Sequence, residues 1–241
     1  MKRTALILTV GVGLVLVGVL TGESRGNFIL WDGQQMTVNT THSEGSLYDT
    51  SRAFIVPGGY VTGLYARDCS TVNICGGSAG TLIAYNASTL NILSGSVYYL
   101  YTWGSGSVVN ISGGSVDHLD VLADNGTANI YGGWVDGLFT SGVVDVFGGS
   151  VYTLCAYPGS VVTFHGRNFD VRGGLWWDGN RVLGTGLLTG EWMDGTPCAV
   201  NIHVNESRDE YKATILVVPE PATLALLTLG GLLAFRRRRC K

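Results

Sequence analysis

Val109-Asn-Ile-Ser-Gly-Gly-Ser-Val-Asp-His-Leu119 is followed by Ala128-Asn-Ile-Tyr-Gly-Gly-Trp-Val-Asp-Gly-Leu138, one pattern written twice. The pattern continues in both directions. Upstream it runs over Phe54–Leu64, Val72–Leu82 and Leu90–Leu100, and downstream over Val144–Leu154. A partial copy begins at Val162, and Val38-Asn39 reads as part of an earlier one. Aligned on the glycine pair, the second residue of each unit falls at 55, 73, 91, 110, 129, 145 and 163, a period of about 18.

Apolar-Asn-apolar is a period-2 strand fragment. The Gly-Gly that follows permits positive φ at a corner. Ser-Val-x-x-Leu then begins a second extended stretch. One such unit cannot bury its apolar face alone, but a stack of them can. Short strands at a fixed period, dense in Gly, Val and Thr, exclude helical repeats. They predict an all-β parallel solenoid of about seven coils of about 18 residues. At ~4.8 Å per coil the rod is about 34 Å long. The coils show no sustained hexapeptide pattern, so a right-handed winding is expected. A β-sandwich of regular short strands is the alternative architecture. Asn73, Asn91, Asn110 and Asn129 fall in register, which predicts an amide ladder from coil to coil.

Outward from the repeat, the period breaks after residue 169. Residues 170–217 carry Trp176, Trp177 and Trp192 with alternating stretches such as Ala199–Val204, and read as a small β cap in which the tryptophans pack. Such a cap would stop open-edge pairing. Residues 36–169 hold the repeats, and residues 23–35 are a lead-in. Residues 1–22 read as an export signal: Lys2-Arg3 is a basic start, Ala5–Leu20 an apolar run, and Thr21-Gly22 a small-residue cleavage site.

Residues 218–241 hold the most specific feature. Val218-Pro219-Glu220-Pro221 precedes the apolar stretch Leu224–Phe235, then Arg236, Arg237, Arg238 and Arg239, then Cys240 and Lys241. The prolines impose an extended segment. The apolar stretch is a minimal membrane-spanning helix. The arginines hold its end cytoplasmic, which leaves the body on the far side. This order of motif, helix and basic end resembles the PEP-CTERM sorting signal of Gram-negative bacteria. The resemblance implies recognition of Val218, Pro219, Glu220 and Pro221 by an exosortase-type membrane protease. It further implies a place at the cell surface, in or near an exopolysaccharide or biofilm matrix. The expected partners are the export machinery, the exosortase, the membrane through the helix before processing, and extracellular polysaccharide.

Charge narrows the function further. Setting the two ends aside leaves eight basic against seventeen acidic residues, a body near −9. From Asp68 to Gly166 there is no Lys or Arg, but there are six Asp. Such a surface repels phosphate backbones, which excludes nucleic acid. No cofactor is expected. No unit contains the Gly-Gly-x-Gly-x-Asp of calcium-binding nonapeptides, so calcium has no motif here. Cys69, Cys75, Cys155 and Cys198 lack zinc spacing; in an exported protein they allow three disulfide connectivities.

The expected role is structural or adhesive rather than enzymatic. Two other readings stand beside it. Asp117 and Asp136 occupy one repeat position in adjacent coils, with His118 and Asp120 nearby. A carboxylate pair about 5 Å apart suits a retaining polysaccharide hydrolase, and a lyase is the other enzyme class a solenoid would host. Tyr98, Tyr99, Tyr101 and Trp103 would instead serve a non-catalytic glycan-binding module. A gathered acidic groove would favour the enzyme, and a solvent-facing column of rings the binding module.

Overall fold

The repeat closes into two stacks of parallel strands in a computed structural model that describes residues 26–122, 126–204 and 213–219. All regular secondary structure among these residues is β. The expected N-terminal signal and the expected helix at Leu224–Phe235 lie outside the described residues.

Among the described residues seventeen strands are formed. They are β1 (Phe28–Leu30), β2 (Gln35–Val38), β3 (Thr41–Leu47), β4 (Arg52–Ile55), β5 (Tyr60–Ala66), β6 (Thr71–Tyr85), β7 (Thr89–Trp103), β8 (Val108–Ile111) and β9 (Ser115–Val121). After these come β10 (Thr127–Ile130), β11 (Trp134–Thr140), β12 (Val143–Val146), β13 (Ser150–Ala156), β14 (Val161–Asp178), β15 (Arg181–Trp192), β16 (Pro197–Val204) and β17 (Thr214–Pro219). The first stack takes β2, β4, the first halves of β6 and β7, β8, β10, β12, the start of β14, and β17, all parallel. The second takes β1, β3, β5, the second halves of β6 and β7, β9, β11, β13 and β16. Strand β1 therefore stacks upstream of residue 36, and β16 and β17 rejoin the stacks downstream of residue 170.

The apolar-Asn-apolar triplet explains the first stack. In β8, Val109 and Ile111 point inward and are fully buried, and Asn110 points outward. The neighbouring coils repeat this with Leu90 and Ile92, then Ala128 and Ile130. The second stack adds inward columns such as Leu64, Leu82, Leu100, Leu119, Leu138 and Leu154. Each buried leucine is worth about 1.5–3 kcal/mol relative to exposure.

The register agrees with the spacing from Asn73 onward, but not before it. Phe54, not Ile55, stands opposite Asn73. The glycine pair misaligns the first unit because its corner is one residue longer: four residues, Val56 to Gly59, lie between Ile55 and Tyr60, against three, Cys75 to Gly77, between Ile74 and Ser78. Gly58 and Gly76, each first of its pair, have positive φ, whereas from Gly95 onward it is the second. The ladder between β6 and β7 shifts register at that point, between Ile74 and Ser78.

The amide ladder is present. Asn91 Nδ2 donates to Asn73 Oδ1 at 2.9 Å, Asn110 to Asn91 at 3.0 Å, and Asn129 to Asn110 at 3.0 Å. The column then reaches Asp145, whose carboxylate meets His165 Nε2 at 2.8 Å. His165 also stacks on Phe147, which stacks on Tyr131, at 4.1 and 5.0 Å. Asn110→Ala removes two ladder bonds and strands the amide groups of Asn91 and Asn129. It is expected to cost about 1–3 kcal/mol, read as a lower urea midpoint with an unchanged slope.

The cap closes an edge. Strand β14 leaves the stack after Gly166 and forms an antiparallel hairpin with β15 through the two-residue loop Gly179-Asn180. Gly179, at φ +62°, suits the first position of such a loop. Strand β15 then runs antiparallel along β16, covering the side that β13 does not. Of the cap tryptophans, only Trp192 is fully buried. Trp176 and Trp177 are 51% and 39% exposed, contrary to the expected packing. They sit near the hairpin tip, where Leu175 and Val182 take the buried positions instead.

Candidate functional site

The second stack carries a bend that the repeat pattern conceals. Val116 and Leu119 are both fully buried although they lie three residues apart, where an unbroken strand would alternate every two. The pairing of β9 with β11 matches Val116 to Val135 and His118 to Gly137, and passes over Asp117 and Asp136. The pairing of β7 with β9 likewise passes over Tyr98 and Asp117. The chain therefore turns a corner at this column. Asp117 and Asp136 stand on it in adjacent coils, exposed to solvent. An open hollow farther along the same corner is lined by Ser43, Glu44, Thr62, Gly63, Tyr65 and Thr81, and includes neither aspartate.

Past the corner, alternate side chains face outward. On β7 these are Tyr99, Tyr101 and Trp103, with centroids 6.0 Å and 6.2 Å apart along the strand. Tyr98, on the corner itself, meets Tyr99 edge-on at 4.4 Å. The next coil places His118 opposite Tyr99 and Asp120 opposite Tyr101. His118 Nε2 lies 3.4 Å from Asp120 Oδ2, and the imidazole stacks on Phe139 at 4.4 Å. Burial pushes the Asp120 carboxyl above the usual range, and His118 partly offsets this. Burial and the Asp120 charge raise the Tyr101 phenol.

A second row of rings runs along the rod. Trp31 stacks on Tyr48 at 4.0 Å, and Arg67 lies over the rings of Tyr48 and Tyr85 at 5.6 and 4.9 Å. Tyr85 meets Trp103 edge-on at 5.7 Å. Each cation–π contact of this kind is worth about 0.5–1 kcal/mol at an exposed site. The two rows join at Trp103. Beside the second row, Asp32, Asp49 and Asp68 take left-handed turn positions with φ +38°, +54° and +56°. Desolvation and the neighbouring carboxylates of Asp32 and Asp68 hold Asp49 above its ordinary range.

Of the residues singled out from the sequence, the fold gathers Tyr98, Tyr99, Tyr101, Trp103, His118 and Asp120 on one face, with Asp117 and Asp136 along its corner. Trp31, Tyr48, Arg67, Tyr85 and Phe139 were not anticipated. For two of them a signal was available: Arg67 and Tyr85 follow an aligned leucine by three residues, as the anticipated Trp103 does. Cys69, Cys75, Cys155 and Cys198 are free thiols. Burial raises the Cys155 pKa and pushes Cys198 up to about 11, which keeps both protonated at neutral pH. Among the described residues no group of three or more His, Cys, Asp or Glu is placed to hold a metal ion.

The sorting residues are divided by the edge of the described structure. Val218 and Pro219 belong to β17, opposite His165 and Gly166. Glu220, Pro221 and Arg236–Arg239 lie outside the described residues. Residues 217–239 match the PEP-CTERM protein-sorting motif. That motif implies an exosortase-type processing partner, export, and association with the surface or membrane. No curated protein and no solved structure matches the chain.

Proposed function

We propose that this chain is a surface-sorted adhesive rod of a Gram-negative extracellular matrix, that it holds polysaccharide without cleaving it, and that it is processed at Pro219-Glu220-Pro221. The observation that carries the reading is the joined pair of ring rows centred on Trp103, which places aromatic surface across several coils of one face. Aromatic rings offer large, rigid, amphipathic contact area to sugars at low conformational cost. The carboxylates favour binding over hydrolysis. Asp117 and Asp136 stand on an outward corner, where water is not excluded from a bound glycosidic bond. His118 is engaged by Asp120 and Phe139.

Strand β17 links this face to sorting. It is the last member of the first stack, and the Pro-Glu-Pro element starts on it, at Pro219. Four residues, Glu220 to Thr223, separate it from the apolar stretch Leu224–Phe235. They span at most about 14 Å. The cap end then sits against the membrane, and the aromatic face projects outward until the exosortase acts.

The test uses the intact chain, epitope-tagged after Gly22, in an exosortase-bearing host. Wild type is expected at the cell surface and in the polysaccharide fraction, with a processed C-terminus. A Pro219→Ala/Glu220→Ala variant is expected to lose processing and remain with the membrane. Retention of wild type inside the envelope would overturn the sorting reading. New reducing ends or unsaturated products that disappear in Asp117→Asn or Asp136→Asn would make the protein an enzyme.

A further inference from the structure

We infer that the face built by Tyr99, Tyr101, Trp103, Asp117, Asp120 and Asp136 docks a cationic amino polysaccharide, a chain of glucosamine-type sugars bearing free ammonium groups. The inference rests on the reading of the chain as a matrix-binding rod and names the chemistry of its partner.

Three observations specify that chemistry. The three rings follow one strand, 6.0 and 6.2 Å between successive centroids, with Tyr99 and Tyr101 20° from parallel and Trp103 turned 57° from Tyr101, so they offer successive separate contacts to a sugar chain rather than one flat strip. Tyr99 and Trp103 are exposed. Carboxylates flank the rings on their C-terminal side: Asp120 stands opposite Tyr101 in the next coil, and Asp117 and Asp136 occupy the exposed corner. No lysine or arginine occurs from Asp68 to Gly166, and the basic side chain beside these carboxylates, His118, lies 3.4 Å from Asp120 and leaves Asp117 and Asp136 on the exposed corner. The arginine on the adjoining row, Arg67, is held between Tyr48 and Tyr85.

Ring faces carry negative potential and attract cations. Carboxylates add point charges of the same sign. A polyuronate meets like charge at every rung and is repelled. A neutral glycan gains only the stacking. A polymer with apolar sugar faces and regularly spaced ammonium groups gains both, and is the partner whose charge complements this face.

The experiment uses the intact chain in detergent micelles and isothermal titration with three probes of equal length. These are a de-N-acetylated β-1,4-glucosamine hexamer, its fully N-acetylated form, and a polyuronate hexamer. The de-N-acetylated probe is expected to bind at least about tenfold more tightly than the N-acetylated one, a difference near 1.4 kcal/mol. That preference should shrink as salt rises. Tyr101→Ala and Trp103→Ala are expected to weaken both glucosamine probes by about tenfold or more. The exposed pair Asp117→Asn/Asp136→Asn, which disturbs no core position, should cut the preference by about threefold or more and weaken the N-acetylated probe far less than the de-N-acetylated one; an unchanged preference overturns the inference. Equal or tighter polyuronate binding overturns the inference, as does affinity that survives both aromatic substitutions. Equal binding of the two glucosamine probes overturns the cationic partner and leaves polysaccharide adhesion standing. Absence of all three, with the wild-type chain still recovered in the polysaccharide fraction of cells, overturns this face as the contact without touching the sorting reading.

Discussion

Trp192→Ala is expected to be the most damaging truncation of a single side chain in the described structure, costing about 3–5 kcal/mol. Trp192 is fully buried and the largest such side chain. It packs on Phe164 at 6.1 Å between centroids, and its Nε1 donates to the Gly149 carbonyl at 2.7 Å. Truncation leaves a cavity at the junction of cap and stack and an unsatisfied carbonyl at a corner. Trp192 ends β15, the strand that covers the free side of β16. Its loss therefore loosens the closure of the rod as well as its core. Urea unfolding measures the cost, and hydrogen exchange should rise first in β15 and β16. A loss under about 1 kcal/mol, or exchange that rises first at β1–β4, would show that the cap does not close this end as argued.

Gly95→Ala should be at least as severe and works through backbone rather than core. Gly95 has φ +94°, which side chains rarely adopt, and a Cβ there would enter the carbonyl oxygen of Gly77 in the preceding coil. The backbone strain alone amounts to roughly 1–3 kcal/mol. Relieving the clash requires two coils to separate where they are hydrogen-bonded. The combined cost is expected to exceed about 4 kcal/mol, the range reached only by specific structural disruption. Gly159→Ala is the control: φ is +87° and nothing lies within 4 Å of its Cβ position, so it should lose only the strain. A thermal melt of the two variants reads the difference directly. Equal melting temperatures would mean that the coil-to-coil approach at the corner is not what demands glycine.

Much of this architecture was legible before any coordinates. The triplets around Asn73, Asn91, Asn110 and Asn129 predicted strands, inward faces and the amide ladder. Each depends on period-2 alternation and on stacking of like residues, which are local or strictly periodic properties. The corner glycines were legible because positive φ is a demand on a single residue. The sorting tail was legible as a linear motif, and it matches where the sequence placed it.

What was not legible depends on which coil lies next to which. The offset at Phe54 arises because the first corner carries one more residue, four between Ile55 and Tyr60 against three between Ile74 and Ser78, so aligning the glycines misaligns the strand. The turn at Asp117 is invisible in a pattern written as one strand; it is defined by inward side chains on both sides of the corner. Trp176 and Trp177 resemble Trp192 in composition, yet only Trp192 takes a core position; near the hairpin tip Leu175 and Val182 take it instead. The carboxylate pair was read as a possible groove, but its place on an outward corner follows from the bend.

The alternation of apolar and polar residues and the conformational needs of glycine act within a few residues, so the repeat settles the strands, the stacking direction and the ladder. Ring contacts between Trp31, Tyr48, Arg67, Tyr85 and Trp103, and the covering of β16 by β15, join residues that only chain closure brings together. Those contacts belong to the register of the assembled rod, and that register sets the chemistry of its face.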